Sequence, residues 1–358
     1  MKRIALFLPN WIGDVVMATP AIRAVRERFP DAELLAVCKP YVGETLAGAP
    51  WFQRTIFFGK GGPSEQRFWN VARELRRRPI DAGILFPNSF RTALLAKLGG
   101  CRSLFGFARY GRDALLTKRL YAERGAHGQF KPMPAIDDYN RVVRLLGVPE
   151  PGHRMELFTT DADEATAEDV WKSLKLEAFP TVIGLNPGGA FGSSKHWPTE
   201  YFAQLAQMFA ARGYAVVVLC GPSERDVARE IVAQAGAVGV VSLADSPLSL
   251  GLTKAIVRRL ACLVTTDSGP RHFAAAFDRP VVSLFGPTHI GWTETYFSKA
   301  IHLQKPVPCG PCQLRICPLD HRCMTTLTPP EVFAATIRLL SPEDQQDADR
   351  HARLRRAG

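Results

Sequence analysis

Residues 3–38 read RIALFLPNWIGDVVMATPAIRAVRERFPDAELLAVC. An apolar run (Arg3–Pro9) leads through a turn into Asp14–Phe29, where apolar residues recur at three- and four-residue steps. A second apolar run, Glu33–Cys38, follows. Short apolar runs bounded by turn residues suit strands buried on both faces, and the period between them suits a helix. Strands joined through helices lie parallel and are covered on both sides. The alternation continues with helix Glu65–Arg78, strand Asp81–Phe86, helix Ser89–Leu98 and a short helix Tyr139–Leu146.

Around residues 148–160, Pro149, Pro151 and Gly152 read as a linker. A second series starts with helix Asp161–Leu174, strand Val182–Asn186, helix Thr199–Arg212, strand Ala215–Cys220 and helix Ser223–Gln234. It continues with helix Leu248–Leu260, strand Cys262–Thr266, helix Pro270–Phe277, strand Pro280–Phe285 and a closing helix Thr328–Leu340. The expected fold class is therefore α/β, with two doubly wound domains facing a central cleft. In open parallel sheets ligands sit beyond the carboxyl ends of the strands, so the residues just after each strand are the ones to inspect.

Composition narrows the function classes. The chain has 358 residues, 46% hydrophobic and 22% charged, an ordinary globular mix that excludes long disorder. No run of 18 apolar residues exists, which excludes a membrane-spanning helix. Met1-Lys2-Arg3 before Ile4–Leu8 imitates the start of a signal peptide. Pro9, Asn10 and Asp14 break that pattern, so the segment reads as a buried first strand and the expected location is the cytoplasm. The formal net charge of +11 falls wholly on residues 1–150, which hold 24 Lys/Arg against 13 Asp/Glu. Such asymmetry points to an anionic partner: nucleic acid, a membrane surface or an acidic ligand. A solvated, soluble face is the alternative.

Four strand–helix junctions carry candidate chemistry. Pro9-Asn10-Trp11-Ile12-Gly13-Asp14 puts a carboxylate at the first strand's end, either as a helix N-cap or as a base facing the cleft. The stretch 186–198, from Asn186-Pro187-Gly188-Gly189 through Gly192, Ser193, Ser194 and Lys195 to Trp197-Pro198, offers amides, hydroxyls and an ammonium to a polyanion. Thr265-Thr266-Asp267-Ser268-Gly269-Pro270-Arg271-His272 presents amides at a helix start, where the dipole favours phosphate. Glu224, after Gly221-Pro222-Ser223, is placed to accept from ribose hydroxyls or to serve as an acidic helix start. No G-x-G-x-x-G follows a strand, which disfavours a dehydrogenase.

Of eight cysteines, Cys38, Cys101, Cys220 and Cys262 lie in or beside apolar runs and read as reduced core thiols. Cys309, Cys312, Cys317 and Cys323 cluster within 15 residues, with His321 nearby. Their compactness suits a structural zinc knot, though the spacing is not that of a two-pair finger; reduced loop thiols or a redox pair are the alternatives. A nucleic-acid-binding protein would use both charge and knot, but these lie in different halves and no recognition motif is present.

Taken together, these motifs resemble the ADP-heptose:lipopolysaccharide heptosyltransferases, over roughly residues 1–340. The pieces that carry the likeness are Trp11-Ile12-Gly13-Asp14 with Pro20-Ala21, Asn186-Pro187-Gly188, and Ser193-Ser194-Lys195 with Trp197-Pro198. Thr266-Asp267-Ser268-Gly269-Pro270 with His272, and Phe285-Gly286-Pro287-Thr288, complete them. Within that family the chain is most similar to the second heptosyltransferases of inner-core assembly, the Cys309–Cys323 stretch included.

The resemblance implies a GT-B architecture. Residues 1–160 would form a Rossmann-like acceptor domain and 161–327 a Rossmann-like nucleotide-sugar domain. A helix over 328–341 would cross back toward the first, and 342–358 would be a frayed tail. It implies an inverting transfer of heptose from ADP-heptose without a metal cofactor, to a lipid A–Kdo–heptose acceptor at the inner face of the inner membrane. The enzyme would be peripheral to that membrane, and nucleic acid would not be a partner. Asp14 matches the family's proposed base and Lys195 the lysine near the diphosphate. Ser193 and Ser194 share that loop. Ser268, Gly269 and His272 fall where phosphate binds, Asp267 where the donor sugar is touched, and Glu224 where an acid holds ribose. Arg73, Arg76, Arg77, Arg78 and Arg102 would face the anionic acceptor. Another nucleotide-sugar enzyme on the same fold, or a first heptosyltransferase, is the nearest rival.

Overall fold

A computed structural model of the chain describes residues 1–59, 62–125, 128–343 and 346. It divides into two units. One comprises Met1–Phe158 with Gly291–Tyr296; the other comprises Thr159–Ile290 and the chain from Phe297 onward. The change of unit at Phe158/Thr159 falls inside the stretch read as a linker.

The first unit holds β1 (Arg3–Phe7), β2 (Glu33–Cys38), β3 (Arg54–Phe57), β4 (Ile80–Leu85), β5 (Cys101–Phe107) and β6 (Lys118–Leu120), in the order β3-β2-β1-β4-β5-β6. The second holds β7 (Val182–Asn186), β8 (Ala215–Val218), β9 (Val240–Ser242), β10 (Cys262–Thr266), β11 (Val281–Phe285) and β12 (Ala300–Gln304), in the order β12-β11-β10-β7-β8-β9. All neighbouring pairs in both sheets are parallel. Each sheet has the strand order of a dinucleotide-binding doubly wound sheet, with its reversal point between β1 and β4 or between β7 and β10.

The central strands are the apolar runs, and they are buried along their whole length: every residue of β1, β7, β10 and β11 is buried. Burial on both faces is what a parallel sheet between helices requires. Strands β3, β5, β6, β9 and β12 were not legible as strands. Four of them stand at sheet edges, and β3 buries only Ile56. An edge strand of three to five residues has little apolar surface to announce it.

Asp14–Phe29 is not one helix but two, Ile12–Met17 and Thr19–Arg28. Pro20 has no N–H to give to the Val16 carbonyl. The Thr19 hydroxyl donates to that carbonyl instead, at 2.7 Å, and the chain starts a new helix with Pro20 in its first turn.

The expected return helix forms as Pro329–Leu339 but belongs to the second unit. There Phe333 packs its ring against Phe209, at 5.0 Å between centroids. Gly291–Tyr296 groups with the first unit, where the Tyr296 hydroxyl donates to Asp137 at 2.8 Å. The tail over 342–358 lies mostly outside the described residues.

In β7, Gly184 faces Leu260 so closely that an added Cβ would sit 2.3 Å from the Leu260 Cδ1. Leu260 is fully buried and cannot swing out. Gly184→Ala should therefore destabilise the second sheet by about 1–3 kcal/mol, as overpacking generally does. Urea unfolding followed by a probe in that unit measures it; an unchanged midpoint would mean that Leu260 repacks freely.

Candidate active site

At the reversal point of the second sheet, the loops after β7 and β10 leave in opposite directions and open a crevice beyond the strand ends. Asn186 and Thr265 are register partners there. The Asn186 amide donates to the Thr265 hydroxyl at 3.0 Å and the Ser268 hydroxyl at 2.9 Å. The Thr266 hydroxyl donates to the Gly188 carbonyl at 2.7 Å. Side chains at two adjacent strand ends thus lace the two loops that sequence reading singled out separately.

Lys195 and Asp267 meet inside this lacing, both buried. The Lys195 ammonium donates to Asp267 Oδ2 at 2.6 Å and to the Asp267 carbonyl at 2.9 Å. Arg271 donates to Oδ1 at 3.1 Å, and the Thr288 hydroxyl to Oδ2 at 2.7 Å. Burial pushes the Asp267 carboxyl up, but Lys195, Arg271 and the hydrogen bonds outweigh it and hold the group at about 2. Two cations, Lys195 and Arg271, thus share the Asp267 carboxylate. Lys195 has three N–H donors and uses two on Asp267. Phe191 covers the ammonium, which stands 4.6 Å from the ring centroid.

The remaining expected residues sort clearly. Ser268 caps the eight-residue helix Gly269–Ala276. A helix start favours an anion through its dipole; here Pro270 brings no N–H and the Arg271 amide donates to the Ser268 carbonyl at 3.3 Å, so the amides at issue are those of Ser268 and Gly269. His272 is buried; burial first, then Arg271, holds its pKa well below the usual value, so it is a neutral donor or acceptor rather than a cation. Ser193 is exposed, on the 3₁₀ turn Ser193–Lys195. Ser194 is turned inward: its hydroxyl donates to the Leu314 carbonyl at 2.6 Å.

Glu224 serves as the acidic helix start that the sequence offered as one of its two readings. Its two oxygens accept from the amides of Gly189, at 3.1 Å, and Gly221, at 2.7 Å. It ties the loop after β7 to the loop after β8. A Cβ on Gly188 would lie 2.0 Å from the Glu224 Oε1, which is why glycine stands there. Arg271, Thr288, Asn186 and Thr265 lay within the quoted motifs without a role. Their signal is positional, at the ends of neighbouring strands, and becomes readable once the register is known.

In the first unit the corresponding strand ends carry Asp14 and the loop Phe86–Asn88. Trp11, not Asp14, is the N-cap of helix Ile12–Met17. Asp14 is the third helical residue, so the capping reading is set aside; a carboxylate in a first turn is still favoured by the dipole. Fully buried Arg112 holds the loops after β4 and β5. Its guanidinium donates to the carbonyls of Phe107, at 2.7 Å, and Pro87, and to Asn88 Oδ1 at 3.0 Å.

Beside these loops lies a cavity of about 130 Å³, walled by Asn88, Arg109, Asp138, Tyr139 and Trp292 among others. Burial pushes the Asp138 carboxyl up to about 6, with Arg141 and Arg109 opposing the rise. Burial also drives the Tyr139 phenol well up, and Asp14 and Asp138 add to it. Asp14 is thus an electrostatic neighbour of the cavity wall.

The profile of glycosyltransferase family 9 (heptosyltransferase) matches residues 68–322. The chain belongs to this family. It is a glycosyltransferase. Lipopolysaccharide heptosyltransferase 1 of Pseudomonas aeruginosa is 39% identical over 333 residues, covering 88% of this chain and 87% of its own. Lipooligosaccharide heptosyltransferase 2 of Campylobacter jejuni is 26% identical over 347 residues, covering 94% and 98%. The solved structure of Escherichia coli ADP-heptose lps heptosyltransferase II superposes with a TM-score of 0.77 at 24% identity, covering 96% of this chain and all of that one. The fold is that of this family: two α/β units, each with a doubly wound parallel sheet.

Because Asp267 is held at about 2 in the folded chain against an ordinary 3.8, it favours the folded state above that ordinary value. This contribution is lost as pH falls from about 4 through about 2. Asp267→Asn would remove the carboxylate that Lys195 and Arg271 share while both cations stay buried. It should destabilise the second unit by about 3–5 kcal/mol. It should also flatten the acid limb of stability against pH, both read by denaturant titration at stepped pH. An unaltered acid limb would remove Asp267 from this role.

Proposed function

We propose that this family 9 enzyme transfers heptose from ADP-heptose to the heptose/Kdo inner core of lipopolysaccharide, with inversion and without a metal ion in the chemistry. The observation that carries the reading is the buried Lys195–Asp267–Arg271 cluster beside the start of helix Gly269–Ala276, where the Lys195 ammonium has one N–H beyond the two it gives to Asp267. When a sugar leaves a nucleoside diphosphate, negative charge grows on the phosphate oxygen. Preorganised donors at that oxygen lower the barrier by several kcal/mol. The third N–H of Lys195 and the first-turn amides at Ser268 and Gly269 are groups of this kind. Ser193, on the exposed side of the same loop, and His272, as a neutral donor, complete the donor pocket. Glu224 shapes the pocket by holding its loop; its remaining lone pairs suit ribose hydroxyls.

The other half of the reaction is proton removal. The acceptor hydroxyl forms its bond to the anomeric carbon from the face opposite the departing ADP, and its proton passes to Asp14. A positioned base of this kind contributes about 10²–10⁴-fold. Asp267 accepts from Lys195, Arg271 and Thr288, so it acts on the donor by positioning them.

The acceptor side rests on charge. Trp69, Arg73, Arg76 and Arg77 lie four, three and one residues apart, on or just past helix Phe68–Arg76, and all are exposed. They form a stripe with one aromatic and three guanidiniums. Such a stripe suits a phosphorylated lipid at an anionic membrane face, which supports a cytoplasmic enzyme peripheral to the inner membrane. Arg78 is also exposed, and Arg102 pairs with Asp81 at 3.4 Å. Among the described residues no helix is long and apolar enough to cross a membrane.

Similarity over nearly the full length to a type 2 enzyme supports transfer of the second core heptose. The higher identity to a type 1 enzyme supports the alternative, transfer of the first. Incubation with ADP-heptose and acceptors bearing no heptose or one, in chelator, separates the two by product mass. Failure with both would refute the substrate assignment.

Asp14→Asn should lower kcat at least about 100-fold while ADP affinity stays unchanged. Near-normal turnover would take the base role from Asp14. Lys195→Ala should raise the KM for the donor and lower kcat with the acceptor KM held, measured by steady-state kinetics. If both donor parameters stayed the same, the leaving group would not be held by Lys195.

A further inference from the structure

Residues 305–321 contain neither helix nor strand, yet this segment is fastened to the donor-site turn. The Ser194 amide donates to the Arg315 carbonyl at 3.1 Å and its hydroxyl to the Leu314 carbonyl at 2.6 Å. The Ser194 carbonyl stands 2.6 Å from His321 Nε2. Gly192, at φ 155°, leaves no room for a Cβ, which would lie 2.3 Å from the Arg315 carbonyl oxygen. The residue next to Ser194 is Lys195. The segment therefore braces the turn that carries the buried ammonium.

What braces the segment is less evident. Leu314, Ile316 and Leu319 are exposed, so it has no apolar core of its own. A segment of this kind generally depends on a cross-link or a metal to hold one conformation. Its three cysteines, Cys309, Cys312 and Cys317, and Cys323 in the short helix just after it all line one cavity of about 50 Å³, together with His321 and Gly286. None is disulfide-bonded. Of these four residues Cys323 is the buried one. Gly286 backs its sulfur: a Cβ there would lie 3.1 Å from Cys323 Sγ and 2.4 Å from Met324 Sδ. Among the described residues no three His, Cys, Asp or Glu groups already stand set to hold an ion. Cys309 and Cys312 are exposed and Cys317 is half-buried, so these sulfurs can close on the buried one by rotamer and loop adjustment.

We propose that Cys309, Cys312, Cys317 and Cys323 bind one thiophilic divalent ion, Zn²⁺ or Fe²⁺, as a structural four-thiolate site that positions the Ser193–Lys195 turn. Four sulfurs in tetrahedral array select these ions over hard cations. Binding is balanced as four thiols plus one M²⁺ giving a tetrathiolate of charge −2 and four protons, with no electron transfer. The site has no open coordination position, so the ion takes no part in sugar transfer. It acts through the three Ser194 contacts.

Elemental analysis of the full-length protein, purified without added metal or chelator, should find about one equivalent of zinc or iron per chain. Protein refolded with Co²⁺ should show the thiolate charge-transfer and tetrahedral d–d bands of a four-sulfur centre. Cys312→Ser/Cys317→Ser should lose both signals while far-ultraviolet circular dichroism stays native. Gly286→Ala, which crowds Cys323 without removing a thiol, should weaken metal retention in a chelator titration by at least tenfold. Less than about a tenth of an equivalent of either metal, with no Co²⁺ bands, would overturn the proposal. A Cys309–Cys312 disulfide in the native protein would overturn it too, in favour of a redox pair. These readouts use no sugar substrate, so they stand or fall apart from the heptosyl-transfer reading. Where activity is present, loss of the ion should raise the donor KM and spare the acceptor KM.

Discussion

A carboxylate taken out of water survives as an anion only if cations and donors replace the lost hydration, and Asp267 meets that condition with Lys195, Arg271 and Thr288. Much of the second unit's site follows from this arrangement. The ion pair fixes the ammonium of a long, flexible side chain at one point beyond the strand ends. The ammonium still has one N–H beyond the two it gives to Asp267. The loops must then come within a few ångströms of one another, which explains Gly188 against Glu224 and the hydroxyl lacing from Asn186, Thr265 and Thr266.

The first unit solves a different problem. It gathers the chain's surplus positive charge, and one of its arginines, Arg112, is buried as a structural strut rather than left in solvent. By donating to carbonyls after β4 and β5, Arg112 sets the rim of a cavity that includes Asp138 and Tyr139. The exposed guanidiniums along helix Phe68–Arg76 remain available for an anionic partner. The same residue type thus does two jobs, separated by burial. The charge count alone could not divide them.

Much of the architecture was legible because parallel sheets advertise themselves. The central strands β1, β2, β4, β7, β10 and β11 are short runs dominated by apolar residues, and the helices between them carry the helical period. The edge strands β3, β6, β9 and β12 were silent, since one exposed side frees them from an apolar pattern. Pro20 looked like a residue inside one helix. Its missing N–H, relieved by the Thr19 hydroxyl, made it a boundary. Asp14 looked like a cap, and a one-turn shift in where the helix begins moved the cap to Trp11.

The sequence by itself determined the strand-end loops and therefore the list of residues that could meet a ligand, because strand direction and loop position follow from local patterning. It also set the charge imbalance and the cysteine spacing. Tertiary structure decided which of those residues face one another. That Glu224 ties two loops, that Asp267 gathers Lys195 with Arg271 and Thr288, and that the cysteine loop braces Ser194 all depend on contacts between residues tens of positions apart. Such contacts are fixed by sheet register and packing, which no local run of residues encodes.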